Sequence, residues 1–203
     1  SYHRNNATYR MLVNICWLVI KGLLQTTEAG SYRLTSYIDD QQMHHLYEKF
    51  VLCYYKKEYP QYAVSASYID WDIQEDDDKL FLPTMKSDIT LSYGCKTLII
   101  DTKYYGHTMQ INSAYGDKAT IISGNLYQIF TYVKNKDKYK TGLDGGALLY
   151  AKTNDEVFPN NDYVIGGNKI AVKTLDLNKE FVNIKAQLDE LVKVFFADAA
   201  DHK

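Results

Sequence analysis

Residues 87–103 read SDITLSYGCKTLIIDTK, and this stretch decides the fold. Gly94 and Cys95 stand between two runs of β-prone residues, which suits a two-residue type II′ hairpin turn. With this turn, the strands on either side pair so that Asp88 lies directly opposite Asp101. The Cβ atoms of directly opposed residues are about 4.5–5.5 Å apart. The sequence therefore predicts two carboxylates held side by side on one hairpin.

The two faces of this hairpin carry different chemistry. Because side chains alternate along a strand, Lys103 shares a face with Asp101. The opposite face is expected to contact a core, since it carries Ile89, Leu91, Leu98, Ile100 and Thr102. Residues 97–100 are largely apolar on both faces, which predicts a central strand. Two carboxylates this close repel each other unless one is protonated or a cation lies between them, and Mg²⁺ is the expected cation.

The composition is that of a globular protein with a sizeable core. The chain has 203 residues, of which 46% are hydrophobic. Its net charge of −2 argues against a polycation that coats nucleic acid, but it remains compatible with a nuclease, in which metal-binding acids lower the total charge. Three widely spaced cysteines without a Cys-x-x-Cys pair fit a reducing cytoplasm.

We expect neither targeting nor energy-coupling signals in this sequence. The most apolar run, residues 11–24, is interrupted by Asn14, Lys21 and Gly22, so we expect neither a membrane span nor a signal peptide. No Walker A loop occurs, so any nucleotide hydrolysis is expected to come from another chain. Because the chain starts at Ser1 and not at Met, part of the natural protein is expected to precede it.

The order of predicted elements indicates an α/β or α+β fold, in which helices flank a small mixed β-sheet and a helix pair comes first. Residues 1–38 are predicted to form a helical segment packed on a core of residues 39–203. The predicted helices span residues 8–25, 40–59, 117–135 and 177–200. The predicted strands lie in residues 64–73, 86–93, 96–105, 147–151 and 163–175, the last a strand pair interrupted by Gly166 and Gly167. Residues 106–115 are predicted to form an irregular loop.

Polar side chains on two predicted helices are candidates for a site. Asn125, Gln128 and Tyr132 share one stripe of the helix over residues 117–135, opposite its apolar face. They could offer neutral hydrogen bonds to a phosphate or a base, although for this helix alone a solvated face is favoured. Glu48 lies in the middle of the helix over residues 40–59 and, taken alone, reads as a solvated glutamate.

Two charged segments leave alternatives open. Lysines follow the polar helix at every second position, and they would either meet DNA phosphates or solvate a loop; they are Lys134, Lys136, Lys138 and Lys140. The acidic residues 75–78 favour a solvated surface loop over a metal site.

Taken together, the candidate residues resemble the motifs of the PD-(D/E)xK nuclease superfamily. Asp88 takes the place of the first motif Asp, with Ser87 where the motif has Pro, and Asp101-Thr102-Lys103 matches the D-x-K half. The helix from Gln128 to Tyr132 matches the Gln-x-x-x-Tyr motif of the RecB-like branch. Glu48 matches the acidic residue that this superfamily often carries on its first core helix.

More narrowly, the chain resembles the McrC family, the cleavage subunits of McrBC restriction systems that act on modified cytosine. This resemblance rests on LYEKF at residues 46–50, PTMKSDI at 83–89, IDTKYY at 100–105 and NLYQIFTY at 125–132. It implies a restriction-endonuclease-like core, DNA as the substrate, and an AAA-type, McrB-like GTPase ring as the partner. The N-terminal region with which such proteins engage the ring is expected to lie outside this sequence.

The resemblance also implies roles for the residues. Asp88, Asp101 and the backbone carbonyl of Thr102 would bind Mg²⁺, for which Mn²⁺ could substitute. Glu48 would bind a metal-bound water, and Lys103 would orient or help deprotonate the attacking water. Gln128, Tyr132 and Asn125 would position the substrate or support the lysine.

The same resemblance leaves several points open. A homodimer is one way in which such a nuclease could cut both DNA strands. The resemblance also implies a cytoplasmic protein of a bacterium or archaeon. A RecB-like or repair nuclease without a McrB-like partner would use the same chemistry. A catalytically silent nuclease-fold module that binds DNA, and a structural domain without a nucleic-acid role, also remain as alternatives.

Overall fold

The structure is a computed structural model that describes residues 40–75, 78–112, 118–153 and 155–197. The predicted helix over residues 8–25, and with it the predicted segment 1–38, lies outside the described residues. In chain order the described helices and strands are α1 Asp40–Glu58, β1 Tyr68–Ile69, β2 Met85–Lys86, β3 Ile89–Tyr93, β4 Lys96–Lys103, β5 Met109–Asn112, β6 Lys118–Ile121, α2 Ser123–Lys136, β7 Gly145–Ala151, β8 Asn161–Ile165, β9 Asn168–Leu175 and α3 Phe181–Phe196. A short 3-10 turn, Pro60–Tyr62, follows α1.

Within the described residues, five strands form one mixed sheet in the order β3-β4-β7-β9-β8. The two outer pairs are antiparallel, and the two inner pairs, β4 with β7 and β7 with β9, are parallel. The strand β4 has neighbours on both sides and is buried along nearly its whole length, as the apolar residues on both its faces predict. This confirms the predicted α/β fold with a small mixed sheet flanked by helices.

The predicted hairpin is confirmed in its turn and in its register. Gly94 has a φ of +59°, the left-handed conformation that glycine adopts without a Cβ clash. Tyr93 pairs with Lys96, and at the other end Ile89 pairs with Ile100. Asp88, one residue before β3, therefore lies beside Asp101.

Two hydrophobic cores cover the two faces of the sheet. On one face, α1 and α3 pack against the side chains predicted to face a core, including Ile89, Leu91, Leu98 and Ile100. On the other face, α2 packs against alternate side chains of β4 and β7 with Ile129 and Val133. Asp101 and Lys103 lie on this second face, so the site is built on the α2 side of the sheet.

The segment before α2 differs from the prediction. Residues 106–115 contain β5, which pairs antiparallel with β6 at Lys118–Ile121, so neither the irregular loop nor the helix start near residue 117 is correct. The helix begins at Ser123. The β-branched side chains of Thr120 and Ile121 favour extended backbone, and pairing with β5 supplies the hydrogen bonds that a helical turn would otherwise have made.

Two predicted strands are shorter than expected. Within residues 64–73 only Tyr68–Ile69 forms a strand, together with an isolated bridge from Ser65 to Thr90. The predicted strand over residues 86–93 is divided at Ser87, because β2 pairs with β1 while β3 pairs with β4. The strand pair interrupted by glycine is confirmed as β8 and β9, with φ of +59° at Gly166 and +89° at Gly167. In the described part of the chain, no helix is long and apolar enough to cross a membrane.

Candidate active site

The carboxylate of Asp88 is held by the strand that it faces. Its Oδ2 accepts hydrogen bonds from the backbone N–H and from the Oγ1 hydroxyl of Thr102, each at 2.7 Å. Both bonds use the same oxygen, so Oδ1 of Asp88 is left out of this arrangement. Thr102 thus orients Asp88 through its amide and hydroxyl, while the ligand role predicted for its carbonyl oxygen stays a prediction.

Asp101 and Lys103 form a buried ion pair on the α2 face of β4. The Lys103 Nζ lies 2.6 Å from Asp101 Oδ2, and the two side chains are only 9% and 3% exposed. Apart from this ion pair, Asp101 Oδ2 has no hydrogen-bond partner among the described residues. A buried carboxylate oxygen with one close cation and no regular hydrogen bond is poorly compensated for its lost hydration.

The electrostatics of the pair follow from this burial. Burial raises the pKa of Asp101 to about 6; the charge of Lys103 opposes the rise, and the charges of Asp88 and Glu48 add to it. Burial lowers the pKa of Lys103, but Asp101, Tyr105 and Asp88 raise it, and the net change is upward. At neutral pH the lysine is therefore a cation and Asp101 is mostly ionised.

The residues fit a hard divalent cation. Among the described residues no group of three or more His, Cys, Asp or Glu side chains is placed to hold a metal ion. Mg²⁺, however, is commonly bound by one or two carboxylates, with waters and substrate phosphates completing its octahedron. Asp88 and Asp101 offer two such carboxylates: Asp88 Oδ1 is left out of the bonds to Thr102, and Asp101 Oδ2 carries only the ion pair with Lys103.

Glu48 approaches the site from the opposite face of the sheet. It lies on α1, its side chain is 24% exposed, and its carboxylate is 3.4 Å from His45 Nδ1. Its charge contributes to the raised pKa of Asp101. The residue is thus close enough to act on Asp101 electrostatically, and its predicted role in binding a water molecule stays a prediction.

Gln128 connects Lys103 to α2. The Lys103 ammonium donates to Gln128 Oε1 at 2.9 Å, and Gln128 Nε2 donates to the Tyr132 hydroxyl at 3.1 Å. The interpretation of this stripe as a solvated face is wrong, since Asn125 and Tyr132 are 7% and 9% exposed. The stripe lies beside the apolar side chains of α2 and faces the sheet with them, because the buried surface of this helix is broader than a single row.

Asn125 contacts two tyrosines that are not among the predicted site residues. Its Nδ2 donates to the Tyr150 hydroxyl at 2.9 Å, and its Oδ1 accepts from the Tyr105 hydroxyl at 3.4 Å. Tyr105 could have been found, because it continues the alternation of Asp101 and Lys103 along the chain. Tyr150 could not, because its place next to Lys103 depends on the parallel register between β4 and β7.

Ser87, which stands where the superfamily motif has Pro, is also part of the local structure. It is buried, and its hydroxyl donates to the Ser67 carbonyl at 3.1 Å while lying 2.7 Å from Thr90 Oγ1. These contacts fix the chain between β2 and β3, the point from which Asp88 projects.

The four lysines in the last turn of α2 and just after it divide into two groups. Lys134 donates to the carbonyl of Gly166 at 3.0 Å and to Asn168 Oδ1 at 2.9 Å, so it ties α2 to the turn between β8 and β9. Lys136, Lys138 and Lys140 are exposed. For these three lysines, contact with DNA and solvation of the loop both stay open.

Comparison with known proteins places these residues in a family. A profile described as "McrBC 5-methylcytosine restriction system component" matches residues 1–151, which include the hairpin, Glu48 and α2. The "Type IV methyl-directed restriction enzyme EcoKMcrBC" of Escherichia coli (strain K12) is 28% identical over 197 residues, covering 94% of this chain and 55% of the relative. The chain thus spans about half the length of this curated relative. The match over most of the chain shows that it belongs to the family of McrBC 5-methylcytosine restriction system components.

Proposed function

We propose that this chain is the Mg²⁺-dependent DNA endonuclease part of a McrBC-like restriction system, with Mn²⁺ as a substitute metal. One observation carries the proposal: Asp88, Asp101 and Lys103 meet on one hairpin, and Gln128 reaches the lysine from the neighbouring helix. Paired carboxylates beside a fixed cation suit hydrolysis of a phosphodiester, in which negative charge develops on oxygen. Membership of the restriction-system family supports the same reaction.

The site residues of this chain would have different roles in the reaction. Asp88, Asp101 and the Thr102 carbonyl would hold Mg²⁺, which when bound lowers the pKa of the attacking water and neutralises phosphate charge. Thr102 fixes one oxygen of Asp88, which limits the directions in which the carboxylate points. Lys103 keeps its proton because its pKa is raised, so it is better suited to orient the attacking water and offset phosphate charge than to remove a proton. Glu48 would accept a hydrogen bond from a water molecule in the site.

The proposed partner is a McrB-like AAA-type GTPase ring. The sequence has no Walker A loop, so a second chain would have to supply the energy of nucleotide hydrolysis. The curated relative is named as a methyl-directed enzyme, and we assign recognition of the modified base to the partner. A homodimer, or two copies on one ring, would bring a second site to the other DNA strand.

A cleavage assay with a modified plasmid tests this function. With Mg²⁺, the McrB-like partner and GTP, the parent protein should nick or linearise the plasmid, and EDTA should stop it. Asp101→Ala and Lys103→Ala should each lower the rate by about 10²-fold or more, since each removes transition-state stabilisation. Lys173→Ala is the matched control, because this lysine of the same sheet pairs with Asp162 at the surface.

The outcomes distinguish the competing functions. Cleavage by either site variant at the parent rate would overturn the site assignment. Cleavage that requires neither the partner nor GTP would favour a RecB-like or repair nuclease. DNA binding without cleavage, under all metal conditions, would favour a silent nuclease-fold module.

A further inference from the structure

Buried tyrosines use their hydroxyl groups differently on the two faces of the sheet. On the face covered by α1 and α3, Tyr47 donates to the Leu149 carbonyl at 3.3 Å and Tyr55 donates to the Leu188 carbonyl at 3.0 Å. On the α2 face, the hydroxyl of Tyr150 instead accepts a hydrogen bond from Asn125. The first two tyrosines satisfy backbone carbonyls, whereas Tyr150 fixes a side-chain amide.

The bond to Tyr150 decides which way the amide of Asn125 points. Because Nδ2 is directed at the Tyr150 hydroxyl, Oδ1 is directed elsewhere, and there it accepts from Tyr105. Tyr150 is fully buried, Asn125 is 7% exposed and Tyr105 is 40% exposed. The three side chains form a chain of hydrogen bonds that runs from the core to the surface, defined here as the Tyr105 relay.

The Tyr105 ring lies at the rim of the candidate active site. Tyr104 contacts Tyr47 on the α1 face, with ring centroids 6.1 Å apart, so Tyr105 is turned to the α2 face together with Lys103. A charge on Tyr105 would also act on Lys103, which places the two side chains near each other. An exposed aromatic ring held beside the reacting residues offers a flat apolar surface to the deoxyribose of a nucleotide, which a base-paired duplex leaves accessible.

We propose that the Tyr105 ring contacts the nucleotide next to the scissile phosphate, and that Asn125 and Tyr150 hold the ring in place as positioning residues. The inference rests on the proposed nuclease function and adds a substrate contact to it. The contact is apolar and through the ring, so the Tyr105 hydroxyl remains bonded to Asn125 when DNA is bound. Tyr150 acts only through Asn125, since its side chain is closed off from solvent.

The test measures binding of a labelled DNA duplex by fluorescence anisotropy, with Ca²⁺ in place of Mg²⁺ to limit cleavage. Tyr105→Ala should weaken binding about tenfold, because it removes the apolar ring surface that contacts the DNA. Tyr105→Phe and Tyr150→Phe keep both rings but break the hydrogen bonds of the Tyr105 relay. Each should weaken DNA binding about threefold, because the Tyr105 ring is then no longer held in place. The double variant Tyr105→Phe/Tyr150→Phe should bind no worse than either single variant, because both changes break the same relay.

Steady-state cleavage gives a second readout. In the Phe variants KM should rise while kcat at saturating DNA stays within about twofold of the parent, since binding and not chemistry is altered. Tyr55→Phe is the matched control: it removes a buried hydroxyl from the other face and should leave DNA affinity unchanged.

Each remaining outcome overturns a definite statement. Parent-like binding by Tyr105→Ala would overturn the contact between its ring and DNA. Additive effects of the two Phe changes would overturn the positioning role of Tyr150. Neither result would affect the proposed nuclease function. A parent protein that binds no DNA, alone or with its partner, would overturn both. A loss of DNA affinity in Tyr55→Phe equal to that in Tyr150→Phe would reduce the role of Tyr150 to general stability.

Discussion

At the scale of single residues, the site depends on a carboxylate that is costly to bury. Asp101 gains one close cation, Lys103, and its pKa remains raised to about 6. A raised pKa in the folded state means that this group favours folding below its unfolded pKa, about 3.9, and loses that contribution as the pH rises through about 6. A cation bound beside Asp101 and Asp88 would favour the ionised form of both carboxylates, so we expect the site to attract one.

Metal binding should therefore depend on pH. Below pH 6 a cation must displace the proton of Asp101, so Mg²⁺ is expected to raise Tm more at pH 8 than at pH 5. Thermal unfolding with and without Mg²⁺ measures this difference, and Asp101→Asn should remove most of the shift at pH 8. An equal Mg²⁺ shift at both pH values, or one that persists in the Asn variant, would contradict the assignment of Asp101 as a ligand.

Gln128 provides a second residue-scale prediction. Gln128→Leu removes the acceptor of the Lys103 ammonium and the donor to Tyr132, so kcat should fall about tenfold with little change in KM. Tyr127→Leu, at the exposed neighbouring position of α2, is the control and should cleave like the parent. If the two variants lost activity equally, α2 would be acting through stability and not through Lys103.

At the scale of elements, β7 holds the two layers of helices close to the sheet because it begins with two glycines. A Cβ at Gly145 would lie 2.7 Å from the Lys169 carbonyl oxygen and would also contact the Phe195 ring of α3. A Cβ at Gly146 would lie 2.6 Å from Ile129 Cγ1 and 2.8 Å from Val133 Cγ2 of α2. Each glycine thus lets one helix approach the sheet.

The two glycines should differ in their sensitivity to alanine. Gly145→Ala is expected to lower the free energy of unfolding by about 2–4 kcal/mol, because a strand carbonyl cannot move aside. Gly146→Ala should cost less, about 1–2 kcal/mol, since side chains can adjust, but it should also reduce cleavage by displacing the helix that carries Gln128. Urea unfolding together with the cleavage assay checks both effects. A larger stability loss at Gly146 would contradict this account of the packing.

The sequence predicts the elements of this fold unevenly, for physical reasons. The hairpin register could be predicted because Gly94 specifies the turn. Once the turn is known, the alternation of side chains along each strand fixes which residues pair. The sequence does not predict the β5–β6 pair, because strands of four residues carry a weak signal and their pairing depends on tertiary contacts. The contact of Tyr150 with Asn125 could not be read, because nothing in the sequence displays the register between parallel strands.

At the scale of the whole molecule, one buried acid ties together segments that are distant in the sequence. Asp137 accepts from the N–H and hydroxyl of Thr141, each at 2.7 Å, from the Gly142 N–H at 2.9 Å and from Asn168 Nδ2 at 2.7 Å. Burial alone would raise the pKa of Asp137, but these hydrogen bonds outweigh it and lower the pKa to about 2. The end of α2 is thereby fixed to the start of β9.

This acid should govern the stability of the protein in acid. A lowered folded pKa contributes stability above the unfolded value near 3.9, and that stability is lost as the pH falls through about 2. Asp137→Asn should lower the free energy of unfolding by about 2–3 kcal/mol at pH 7. It should also weaken the fall in stability between pH 4 and pH 2, as followed by urea unfolding at several pH values. A variant with the parent's acid profile would show that other carboxylates control it.

The hydrogen bond between Tyr105 and Asn125 has a consequence for the segment that lies between them. The chain leaves the site at Tyr105, passes through the antiparallel pair of β5 and β6, and returns to the site at Asn125. Because Tyr105 and Asn125 are bonded to each other, their spacing does not depend on β5 and β6 alone. Substitutions in β5 and β6 should therefore disturb the reacting residues less than substitutions in β4 or α2.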